Sequence, residues 1–256
     1  MANPPSPPAR GPAAARPLLR IAAALVLVGM AALAVDVPVA RWFKEGRWPA
    51  ATPRVLTEVA DEIGRLVTLS EVVAHAGSVA VILGLVLVLD PGLQWPARLI
   101  AAWRHRHGGR QPLPAAQAAF ARMLGATLAG AIGTDLVKLC VARVRPRAAD
   151  FAIQASVWDS FSQVFVATAA GSRSNIQSFP SGHSAMAAGF AAALAWRYPR
   201  GRRFFALFAL MAMAQRVLSS AHFPSDTCFG AALGLVGAAW FLGPAGDPGG
   251  AGADSG

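Results

Sequence analysis

Residues 215–226 read QRVLSSAHFPSD, between the apolar runs FFALFALMAMA at 204–214 and TCFGAALGLVGAAWFLG at 227–243. Apolar runs of this length fit either a buried core or a bilayer. What Arg216, His222 and Asp226 are doing between them depends on which of the two the rest of the chain supports.

Composition favours the bilayer. Hydrophobic residues make up 55% of the 256 residues and charged residues only 14%, and the mean hydropathy of +0.45 lies well to the apolar side of a soluble domain. A net charge of +10 raises the question of nucleic acid. The basic residues, however, are mostly arginines at the ends of apolar runs, with no aromatic-interleaved basic patch, so no nucleic-acid partner is expected. The only cysteines, Cys140 and Cys228, exclude a disulfide framework and a thiolate metal site, leaving a single bridge between the two open.

Along the chain, residues 1–17 are rich in Pro and Ala and are expected to be a disordered tail, as is the Gly-rich stretch 244–256. Between them, residues 18–243 hold six apolar segments, at 18–39, 66–89, 115–137, 182–197, 203–221 and 226–242. A hydrocarbon core of ~30 Å takes roughly 20 helical residues, so the first three are long enough and the fourth is short. Six of the seven tryptophans lie near segment ends, where interfacial aromatics belong. The fold expected is all-α, an integral membrane six-helix bundle. The first segment has a rival reading as a cleavable signal peptide, since arginines precede it and Ala32-Leu33-Ala34 resembles a cleavage site.

Orientation follows from the short loops. RYPRGRR at 197–203 carries four arginines, and Arg98, Arg104, Arg106 and Arg110 lie between the second and third segments. Both loops belong in the cytoplasm by the positive-inside rule, which places both termini there and the loops after segments one, three and five outside. The outward loops are nevertheless basic. Arg216 lies 13 residues beyond Arg203, roughly 20 Å across the membrane at ~1.5 Å per residue. An arginine at that depth costs ~2.5–3.5 kcal/mol unless it meets a cavity or an anion.

Three outward stretches hold the polar residues that a bilayer makes costly: KLCVARVRP at 138–146, FPSGHSA at 179–185 and the stretch at 215–226. Ser181 is expected to cap the helix beginning at Gly182, and such a terminus attracts phosphate through its free N–H groups and dipole. His222 and Asp226 are four apart with Pro224 between them. That spacing lets the carboxylate fold back on the imidazole and fix its tautomer. Three cations, a helix N-terminus and two histidines on one face describe a pocket for a phosphate group, in which one histidine attacks phosphorus and the other protonates the departing oxygen.

K-x6-RP at Lys138 to Pro146, PSGH at Pro180 to His183 and R-x5-H-x3-D at Arg216 to Asp226 resemble, in order, the three-part signature of the type 2 phosphatidic acid phosphatase superfamily, over roughly residues 115–243. The resemblance implies a metal-independent phosphatase with no cofactor, acting through a phosphohistidine. His222 would be the nucleophile, Asp226 its partner and His183 the general acid. Lys138, Arg145 and Arg216 would bind phosphate, with Ser181 and the Gly182 backbone beside them. The family usually has serine where this chain has Gln215, which is left out of the site. The six-span layout fits membrane members of the family rather than the soluble haloperoxidases.

The function expected is hydrolysis of a lipid phosphomonoester or pyrophosphate, at the periplasmic or outer face of a bacterial-type inner membrane. The partners expected are a lipid-phosphate substrate and the bilayer. Two alternatives stay open: a non-catalytic membrane protein that binds or moves lipid phosphates, and a phosphotransferase to an acceptor other than water. Glu71 and His75, one turn apart within the second segment, read as a buried hydrogen-bonded pair, and Asp135 is placed to neutralise Lys138 when the pocket is empty.

Overall fold

A computed structural model describes residues 15–45, 81–86, 115–153, 155–161 and 173–243. Six α-helices organise these residues: α1 Ala15–Ala32, α2 Asp36–Glu45, α3 Ala115–Cys140, α4 Gly182–Arg197, α5 Arg202–Leu218 and α6 Pro224–Leu242. Short 3-10 turns join them, and residues 81–86 are also helical. No strand occurs among the described residues, only an isolated bridge between Arg143 and Gln177.

Three of these helices, α1, α3 and α6, are long and apolar enough to cross a membrane. They differ in how much they bury: 67% of the α6 window is buried, against 28% for α3 and 11% for α1. Helix α6 is therefore the axis, packed by α1, α3 and α4, while α5 leans mainly on α4. The inner faces carry small residues because in an apolar solvent close van der Waals packing, not burial of oily surface, holds helices together. A Cβ on Gly234 would stand 2.1 Å from the Ala185 carbonyl oxygen, and one on Gly230 2.2 Å from that of Ser181. Only hydrogen fits at either crossing. The outer faces carry the large residues: Ile132, Leu136 and Leu139 form an exposed stripe on α3, at the spacing that lines one side of a helix.

The first apolar segment departs from the expected single span over 18–39. Its helix begins at Ala15, so residues 15–17 belong to it and not to a disordered tail, and it ends at Ala32. Residues 33–35 form a turn and Asp36 opens α2. The break has a physical cause, because Asp36 is fully buried against Arg143 and Ser225 and a straight helix would have carried it past them. The segment at 203–221 closes early for a related reason. Helix α5 stops at Leu218, Ser220 adopts φ 52°, and the N–H groups of Ser220 and Ala221 bond back to the carbonyls of Val217 and Arg216. This is a Schellman closure with serine where glycine is usual, and it frees the chain to turn His222 toward α6. The fourth segment coincides with α4, and Pro224 opens α6 as expected. The second segment lies outside the described residues except for 81–86, as do Glu71, His75 and both far tails. Cys140 and Cys228 are both free thiols.

Candidate active site

The end of the bundle where α3 and α5 finish and α4 and α6 begin gathers the eight residues singled out by sequence. Lys138 occupies the last turn of α3 and bonds to Asp135 at 3.0 Å, the neutralising contact expected of that pair. Its Nζ faces the start of α4, where a Cβ on Gly182 would lie 3.3 Å away. Ser181 caps α4, its hydroxyl accepting from the Ser184 N–H at 3.4 Å, and its own N–H donates to the Asp226 carbonyl at 3.0 Å. That bond ties the start of α4 to the start of α6. Because Ser181 is wholly buried and occupied as a cap, its hydroxyl shapes the helix terminus. His183 follows in the first turn of α4 and is half-buried.

Arg145 lies on the extended segment after α3. Its guanidinium donates to the carbonyls of Ser174 at 2.7 Å and of Ala221 and Gln177 at 3.4 Å each, so the stretch before α4 and the loop after α5 fix it together. Partial burial, with the nearby cations Arg147 and Arg216, pulls its pKa down to about 10. It remains charged at neutral pH. Arg216, in the last turn of α5, is 8% exposed, and its Nη1 donates to the Gln215 side-chain oxygen at 3.3 Å. Gln215, outside the expected site, is thus in contact with it. Arginines held near one another at a helix terminus form a strongly electropositive receptor for an anion.

His222 is 2% exposed, and its Nδ1 lies 2.7 Å from the Ser178 carbonyl oxygen. A carbonyl has no proton to give, so Nδ1 carries the hydrogen and the lone pair is on Nε2. The Asp226 carboxylate, expected to fix this tautomer, stands 3.7 Å from Nδ1: close enough for charge to act, too far for a hydrogen bond. Ser178 fixes the tautomer instead, because the carboxylate is occupied elsewhere. Asp226 Oδ2 accepts from the Ser178 hydroxyl at 2.6 Å and from the Phe223 N–H at 2.9 Å, the second contact capping α6. Burial pushes the His222 imidazole below its ordinary pKa, with Arg145 and Arg216 adding to the push and Asp226 opposing it.

Sequence reasoning missed Arg143, Asp36 and Ser225. Arg143 is fully buried between the rings of Phe161 and Phe223, 4.5 and 4.0 Å from their centroids. It donates to Ser160 at 3.0 Å, Ser225 at 2.9 Å, Asp36 at 2.7 Å and the Asp226 carboxylate. Two signals were available: a third cation in KLCVARVRP, and an aspartate inside an apolar segment. Among the described residues no group of three or more His, Cys, Asp and Glu is placed to hold a metal.

Residues 119–243 match the model of the PAP2 superfamily. They form a PAP2 superfamily domain. Every residue of the three motifs falls inside it, whereas α1, α2 and Asp36 precede it. The chain is also similar to two curated proteins named lipid A 1-phosphatase: that of Rhizobium johnstonii, 44% identical over 68 residues, and that of Rhizobium etli, 43% identical over 65 residues. The matches cover 27% and 25% of this chain and 26% of each relative, so the chain is aligned with about a quarter of their length. No solved structure matches. Within the PAP2 superfamily domain, the buried charged residues Arg143, Arg216 and Asp226 are gathered, with buried His222, at one end of the bundle.

Proposed function

We propose that this protein is a membrane lipid-phosphate phosphatase that hydrolyses a phosphomonoester or pyrophosphate through a phosphohistidine, with no metal. The observation that carries this reading is the state of His222: buried, protonated on Nδ1 through Ser178, and so offering Nε2 beside Arg145 and Arg216. Nε2 attacks phosphorus, the bond from phosphorus to the lipid oxygen breaks, and His183 protonates that oxygen. Water then attacks the phosphohistidine, gives its proton to His183 and releases phosphate. Lys138, Arg145, Arg216 and the N–H groups at Gly182 offset the charge that grows on the phosphoryl oxygens, while Asp226 faces the positive charge that develops on His222.

A lipid substrate is supported by the apolar bundle and by a groove of about 450 Å³. Leu19 and Val26 of α1, Phe229 and Val236 of α6, and Val137, Phe179 and Pro180 beside the site line it. The names of the two relatives put lipid A phosphates first among the candidates. Six spans, cytoplasmic termini and a periplasmic site remain the topology that best fits the basic loop 197–203.

The test is phosphate release by the purified chain in detergent with EDTA, from lipid A, phosphatidic acid, phosphatidylglycerol phosphate and undecaprenyl pyrophosphate, for wild type and His222→Ala. Release by wild type and at least a ~10³-fold loss in the variant is expected, as for removal of a nucleophile. Activity that EDTA abolishes and a divalent ion restores would overturn the mechanism, and phosphate moved to an added alcohol instead of water would make the protein a transferase.

A further inference from the structure

Asp36 belongs to none of the three motifs and precedes the PAP2 superfamily domain, yet it is fully buried at the end of the bundle that holds them. Its Oδ1 accepts from the Ser225 N–H at 3.0 Å. Its Oδ2 accepts from Arg143 Nη2 at 2.7 Å and from the Ser225 hydroxyl. The other terminal nitrogen of Arg143 reaches the Asp226 carboxylate. One guanidinium therefore stands between two carboxylates, and all three side chains are 0% exposed.

The charge count gives this arrangement a consequence. If Arg143 faced Asp226 alone, the two would cancel, and His222 would have a neutral pair beside it at the moment it becomes positive. With Asp36 on the far side of the guanidinium, the cluster carries one net negative charge, and the carboxylate nearer His222 is the one left to act. Burial raises the Asp36 carboxyl above its ordinary pKa, with Arg143 and Ser225 opposing that rise only in part, so its charge rests on the geometry. The donors converging on its oxygens are those an ionised carboxylate requires. The other charged groups near His222 are Arg145 and Arg216, both cations, so the negative charge in its surroundings comes from this cluster.

We infer that Asp36 is a positioning residue for the phosphatase reaction: by neutralising Arg143 it leaves the charge of Asp226 available to His222, and by bonding Ser225 it fixes the first turn of α6 that carries Asp226. This inference rests on the phosphatase reading above. It assigns to α2, outside the family domain, a part in catalysis that touches neither substrate nor reacting atoms.

The experiment compares wild type, Asp36→Asn, Ser225→Ala and the double variant Asp36→Asn with Arg143→Gln. All are full-length in detergent, and kcat, KM, inhibition by inorganic phosphate and thermal unfolding are measured on the substrate the wild type hydrolyses. Asp36→Asn keeps the shape and loses the charge, so kcat is expected to fall about tenfold or more, with KM and the phosphate inhibition constant within about twofold, because Lys138, Arg145 and Arg216 are untouched. Removing the cation as well restores the charge of Asp226, so the double variant regains kcat over the single. Ser225→Ala, a smaller change that leaves both carboxylates in place, lowers kcat in the same direction by about threefold. A kcat for Asp36→Asn within about twofold of wild type, or a double variant slower than the single, overturns the inference. A wild type that releases no phosphate from any lipid overturns the phosphatase reading and this role with it.

Discussion

Replacing Gly234 by alanine tests whether the helix crossing sets the site. The added Cβ would lie 2.1 Å from the Ala185 carbonyl oxygen, on a backbone that cannot swing aside as a side chain can. Ordinary contact begins near 3.4 Å, so α4 and α6 must separate by ~1 Å at this level. Overpacking of this kind costs ~1–3 kcal/mol, and the better helix propensity of alanine returns ~1 kcal/mol, so the net loss of stability is about 1 kcal/mol. Activity should suffer far more. Ala185 lies two residues after His183 on α4, Asp226 lies in the first turn of α6, and a ~1 Å misplacement of catalytic groups can cost about 100-fold. Phosphate release and thermal unfolding of Gly234→Ala would be measured beside Gly133→Ala, where a Cβ meets nothing within 4 Å and which should keep wild-type activity. A Gly234→Ala protein active within about twofold of wild type would refute the claim that this crossing positions the site.

Two further outcomes follow from the loop after α5. Ser220 holds φ 52°, a conformation that costs a non-glycine residue ~1–2 kcal/mol, so Ser220→Gly should leave stability unchanged or raise it by up to ~1 kcal/mol in thermal unfolding, while a β-branched residue there should lower it. Because burial holds the folded pKa of His222 below 6.5, its neutral form persists as pH falls. The acid limb of kcat/KM due to His222 should therefore lie below pH 6.5. The unfolded chain takes up that proton first, so stability is lost as pH falls from the unfolded pKa toward the folded one, and His222→Gln should flatten that loss.

The sequence made the site legible in so far as the bilayer makes polar residues costly: Arg216, His222, Asp226, Lys138 and Arg145 stood out because apolar residues surround them. Ser181 and Pro224 were legible through local helix-terminus rules. Asp36 was not, since a lone acid in a 22-residue apolar segment has no visible partner until Arg143, 107 positions away, is folded against it. Ser178 contributes a backbone carbonyl to His222, and a carbonyl belongs to every residue, so no residue type announces it. The break after Ala32 escaped for the same reason, as it is imposed by a distant contact and not by a local stop signal.

The bond between Ser225 and Asp36 spans 189 positions. During synthesis, α1 and α2 must wait until nearly all of the described chain has emerged before Asp36 meets Ser225. Contacts of such separation form late in folding. The candidate site is thus completed by the meeting of the earliest and latest helices described, and a chain arrested before Ser225 would leave Asp36 without Ser225 and Arg143 without Asp226.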